Sequence, residues 1–276
     1  MPFSPRLYYI SDLPSANFVL ALFIALVLAL SQWGTASVSV EDHPLSEIER
    51  TELREQFMRE QIMFERMIQQ KPTQVSLYSR RGDARLFLKN FPAAVADYEK
   101  MIALNPKLDP SHWRLGIAYY YTGQYEKAAR QFEIYHTHDN VDRENGIWRF
   151  MSQAKVAGMI KARKNLLRYE KTDRPPYPWL YALYAGKIQP ETVFEKIRDA
   201  EFKDGVKTRV LFHANLYVGI FHELHGDESK ALSRLRLATA NKYGRDSGTY
   251  MWQVARIHYE RLKERVHKLP QKVERN

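Results

Sequence analysis

The sequence predicts an all-α fold, a solenoid of about five helical hairpins with one helix before them and a capping helix after them. Three observations carry this. One pattern is written twice at an interval of 34 residues: Gly82 recurs as Gly116, Ala94 as Ala128, Tyr98 as Phe132, and Pro72 as Pro106. Within each copy, small residues stand where two helices must nearly touch, and an aromatic four residues after the second small one fills the space above it. Further on, Gly219, Gly226 and Ala231 reproduce the internal spacing of Gly116, Gly123 and Ala128.

A helix-turn-helix unit of about 34 residues has the tetratricopeptide (TPR) period. The motif's parts stand here as Tyr78, Gly82, Ala94, Tyr98 and Pro106, then as Leu115, Gly116, Tyr119, Gly123, Tyr125, Ala128 and Phe132. The chain is accordingly read as a TPR-type α-solenoid spanning 47–265, with its clearest repeats at 75–108, 109–142 and 212–245.

Taken in order, the chain opens on an unbroken apolar run at 18–30. As a helix this run would be about 20 Å long, short against a hydrocarbon core of about 30 Å. It follows a weakly basic leader and precedes the small-x-small site Gly34-Thr35-Ala36, so 1–36 reads as a signal peptide cut after Ala36. An uncleaved membrane anchor is the alternative, with Trp33 at the interface. With Arg6 before the run and acidic Glu41, Asp42, Glu47 and Glu49 after it, either reading places the body outside the cytoplasm.

A linker at 37–46 leads to Ser46-Glu47-Ile48-Glu49, a capping box that starts a helix running to about Gln70. Leu53, Phe57, Phe64, Met67 and Ile68 form its apolar stripe, and its second half acts as the closing helix of an incomplete repeat. Two degenerate repeats fill 143–211, with helices expected at 147–157, 159–169, 179–185 and from Pro190 onward. The Pro-rich stretch 173–178 breaks between them. A last hairpin at 207–224 and 228–241 precedes a closing helix from about Ser247 to Arg265, which places Met251, Val254, Ile257, His258 and Leu262 against the stack. A basic tail, 266–276, ends the chain.

The stretch 116–123, then 179–186 with 188–192, then Asn215 to Gly219 with Gly226, Asp227, Ala231 and 238–241, resembles the NlpI family of periplasmic TPR lipoproteins over roughly 47–262. The resemblance implies a dimeric adaptor of the envelope that brings cell-wall hydrolases to a processing protease. That family is lipidated on a cysteine after its signal, and this chain has no cysteine. The same lack rules out disulfides, thiolate zinc sites and thiol catalysis.

In TPR hairpins the second, fifth, ninth, twelfth and thirteenth positions face a groove where partners lie. Here they are Ser76, Ser79, Asp83, Leu86 and Phe87, then Pro110, Trp113, Ile117, Tyr120 and Tyr121. Phe87, Trp113, Ile117, Tyr120 and Tyr121 are thus the expected protein-binding residues, unless a C-terminal helix or a second subunit fills the groove. Lys and Asn, which grip a peptide carboxylate at the fifth and ninth positions, are replaced by Ser79 and Asp83. A homodimer through 47–70 is a further expected contact.

The pairs His222/His225 and His136/His138 lack the four-residue spacing of a zincin helix, so no metal and no cofactor is expected. With no nucleophile elbow and no phosphate-cradling glycine loop, a non-enzyme is expected. The formal charge of +10 favours anionic partners. Two basic stretches, Lys161, Arg163, Lys164, Arg168 and Lys171, then Arg256, Arg261, Lys263, Arg265, Lys268, Lys272 and Arg275, supply the alternative: a surface module for wall or membrane polyanions. Nucleic acid is not expected as a ligand of an exported chain.

Overall fold

Ser46 opens the first helix as its sequence suggests: its hydroxyl accepts from the Glu49 amide, and the Glu49 carboxylate accepts from the Ser46 amide at 2.7 Å. The computed structural model describes residues 44–268. The apolar run, the cleavage site after Ala36 and the tail beyond Lys268 lie outside them. In chain order the helices are α1 (Glu47–Gln70), α2 (Val75–Phe87), α3 (Phe91–Leu104), α4 (Trp113–Tyr121), α5 (Tyr125–His138), α6 (Arg143–Ala157), α7 (Met159–Lys164), α8 (Tyr177–Tyr184), α9 (Pro190–Asp199), α10 (Val206–Leu224), α11 (Glu228–Ala240), α12 (Lys242–Ser247) and α13 (Tyr250–Lys268), with a 3-10 turn at Pro106–Ser111. No strand occurs among the described residues, and none of their helices is long and apolar enough to cross a membrane.

The hairpins α2–α3, α4–α5 and α10–α11 share one packing device. A methyl group placed on Gly82 would meet the Tyr98 ring at 2.6 Å, and one on Gly116 would meet the Phe132 ring at 2.7 Å. Ala94 and Ala128 beside them are fully buried. Gly219 stands the same way against Leu235, at 2.8 Å, with Ala231 buried. The device therefore survives replacement of the aromatic by leucine. Between α4 and α5 the chain turns through Gly123 at φ +77°, and between α2 and α3 the equivalent place is held by Lys89 at φ +65°.

Several boundaries differ from those read in the sequence. The second repeat's first helix begins at Trp113, because Pro106 and Pro110 lack amide donors and favour a 3-10 turn before it. His112 then caps α4 by accepting from the Leu115 amide at 3.3 Å. Helix α7 stops at Lys164 instead of continuing to 169. The carbonyls of Asn165 and Leu167 instead accept from Arg149, at 2.5 Å, and the Tyr181 hydroxyl, at 2.6 Å. The short α12, capped by Asn241, has no counterpart among the expected elements, and α13 starts at Tyr250 and runs through Lys268. On α1, Phe57 and Ile68 are buried while Met67 is 38% exposed, since one residue along a helix is about 100° around it.

Candidate functional site

Eight of the ten positions expected to face a groove divide into an open part and a closed part. The open part lies against α2, where Ser76, Ser79 and Asp83 line a cavity of about 700 Å³ with Arg80, Asn105 and Arg114. Asp83 is the fixed point of this wall. Its carboxylate accepts from the Tyr98 hydroxyl at 2.7 Å and from Arg114 at 2.9 Å. Burial pushes its pKa above the ordinary carboxylate value, against the opposing pull of the Arg114 charge. The Arg114 guanidinium in turn lies over the Trp113 and Tyr250 rings. The opening thus presents two serine hydroxyls, an asparagine and a compensated ion pair, together with the apolar side chains of Val75, Met101 and Leu108.

The closed part holds all five residues expected to bind a partner. Ile117, Tyr120 and Tyr121 are buried at 1%, 6% and 6% exposure, and Phe87 and Trp113 are partly buried against the core. Their neighbour is α13. Tyr250 packs edge-on to Phe87 at 5.1 Å and to Trp113 at 4.9 Å, and Arg256 donates to the Phe87 carbonyl at 2.8 Å. His258 is hydrogen-bonded to the Tyr121 hydroxyl at 3.0 Å, while the Arg261 guanidinium lies 5.1 Å over the rings of both Phe91 and Tyr121. The expectation of a free aromatic groove is therefore corrected for this part in favour of its alternative, a groove filled by a C-terminal helix. A rigid aromatic surface is costly to leave in water, and the chain's own closing helix covers it.

Ionic contacts hold α13 in place. Lys89 lies 2.7 Å from Glu264 and 3.4 Å from Glu260. Glu223 on α10 accepts from His258 Nε2 with one oxygen and pairs with Arg265 at 2.9 Å through the other. Burial raises the Glu223 pKa, but the charge and hydrogen bond of His258 and the charge of Arg265 outweigh it and bring it to about 2. Much of the second basic stretch is thereby engaged within the molecule: Arg256 is buried and bonded to Gln253 and Glu260.

A second polar network was missed in the sequence because its members are far apart in it. Glu144 accepts from the hydroxyls of Tyr177, at 2.6 Å, and Tyr217. Trp148 donates to Tyr217 at 3.0 Å, and His213 is 2.9 Å from Tyr177. Burial raises the pKa of Glu144 and lowers that of His213 to about 3. The network is enclosed between α6, α8 and α10 and binds these helices together.

Of the histidine pairs, His225 packs on Phe221 with its Nδ1 at 2.8 Å from that residue's carbonyl, and His136 packs edge-on to Tyr169. Among the described residues, no three His, Asp or Glu side chains converge on one point. The chain matches no protein-family model.

Proposed function

We propose that the chain is a TPR-type scaffold that works by binding other proteins, with the open cavity along α2 as the place where a client segment lies. The observation that carries this is the cavity itself, about 700 Å³ and lined by Ser76, Ser79 and Asp83, three positions that face the groove in TPR hairpins. The packing device shared by α2–α3, α4–α5 and α10–α11 supports the repeat assignment. Its mixture of hydroxyl, amide, ion-pair and apolar groups suits an extended peptide, whose backbone needs donors and acceptors and whose side chains need apolar contact. Holding two clients at once would raise their effective concentration, the role of an exported, non-enzymatic adaptor in envelope or cell-wall turnover. A second copy of the chain can be joined through α1, which exposes Ile48, Met58, Ile62, Met63 and Met67.

The alternative, a polyanion-binding surface, draws on the exposed Lys161, Lys164, Arg168 and Lys171. Capture of envelope proteins on the immobilised chain, at low and high salt, tests the choice. Client binding in the cavity resists salt and is lost in Ser76→Arg with Ser79→Arg. Binding that vanishes at high salt and ignores those substitutions favours the polyanion surface.

A further inference from the structure

Beneath α13 lies a smaller cavity, about 170 Å³, lined by residues of α4, α5, α6, α10 and α13. Tyr120 reaches it with a ring held edge-on by Tyr121, Tyr125 and Trp148 at 5.4 to 5.8 Å. This side chain is 6% exposed, yet among the described residues its hydroxyl makes no hydrogen bond. The hydroxyl keeps contact with solvent and, lining the cavity, can donate to a molecule that enters it.

The charges around it are uneven. Glu223 is the one carboxylate lining the cavity, and both its oxygens are taken, by His258 and Arg265. Arg265 is shared with Glu228 at 2.9 Å. Lys155 and Arg261 also line the cavity, and neither forms an ion pair with any described residue. Arg261 is fixed over two aromatic rings and spends one hydrogen bond on the Tyr121 carbonyl at 3.4 Å. The wall therefore offers a hydroxyl, an ammonium and a guanidinium as donors, the two cations being exposed and outside any ion pair with a described residue, while both Glu223 oxygens are already engaged.

We propose that this cavity binds one small oxyanion, phosphate or carboxylate, held by Tyr120, Lys155 and Arg261. The volume sets the size of the ligand. With about 30 Å³ per water in the liquid, it takes a phosphate or carboxylate group with a few waters. An anion there would also bridge α4 and α6 to α13, tying the closing helix to the stack. This site is separate from the α2 cavity and stands or falls independently of client binding.

The test is a thermal-unfolding titration of the full chain with inorganic phosphate and, separately, with acetate, each against chloride at matched ionic strength. A saturable rise in melting temperature above the chloride control is expected. Response to phosphate alone marks a site that requires a dianion, and response to both marks a general oxyanion site. Tyr120→Phe keeps the ring and removes only the unpartnered hydroxyl, so the ligand-free melting temperature holds while affinity falls about tenfold, as it does in Lys155→Gln. No response beyond chloride, or the same response in wild type and both variants, overturns the site.

Discussion

Lys89 occupies a backbone conformation that glycine holds in the equivalent turn at Gly123. For a residue with a Cβ this region costs about 1 to 2 kcal/mol, so something must favour lysine there, and its ion pairs to Glu260 and Glu264 on α13 are the evident reason. Partly exposed pairs are worth up to about 1 kcal/mol. Lys89→Gly should therefore raise the melting temperature slightly while hydrogen exchange along 260–268 becomes faster; a lower melting temperature would show that the pairs outweigh the strain. Gly116 is fixed by space, not by charge. The Phe132 ring leaves no room for even a methyl, and Gly116→Leu should cost about 1 to 3 kcal/mol by overpacking, read as a lowered midpoint of denaturant unfolding. An unchanged midpoint would mean that the two helices can move apart freely.

At the scale of the element, α13 decides what the aromatic positions do. Because Tyr120 is core and Trp113 is packed under Tyr250, Trp113→Ala with Tyr120→Ala should destabilise the fold by at least about 2 kcal/mol, which a thermal melt would show. A melt unchanged by the double variant would return these residues to a free groove. The Glu223 carboxylate adds a pH dependence. Its folded pKa, near 2, lies below the ordinary glutamate value of 4.5, so its contribution is complete above about pH 4.5 and is lost as pH falls toward 2. Glu223→Gln should lower the melting temperature at pH 7 and much less near pH 2. How much of this was legible follows from range in sequence. The capping box at Ser46, the buried face of α13 at Val254, Ile257 and Leu262, and the Gly–Ala–aromatic intervals are local or periodic signals, and they stand in the structure. The partners Tyr121 and His258, or Lys89 and Glu264, are joined across more than a hundred residues. No local pattern says which surface a closing helix will cover.

At the scale of the whole molecule, the surfaces proposed for protein partners among the described residues are the outer face of α1 and the cavity along α2. If α1 joins two copies, the chain should sediment as a dimer at micromolar concentration, and Met58→Glu with Ile62→Glu should yield a monomer of unchanged helical content. A wild-type monomer would remove α1 from the account. The cavity bears on the central claim, that this is a protein-binding scaffold with its client site on α2, and a photo-cross-linking amino acid at position 79 reads it most directly. With Ile160, 75% exposed on α7, as the control position, cross-linking in cells should give discrete protein adducts at 79 that are absent at 160 and are lost when Asn105→Arg fills the cavity. Adducts that are the same at both positions, or none at 79, would contradict it.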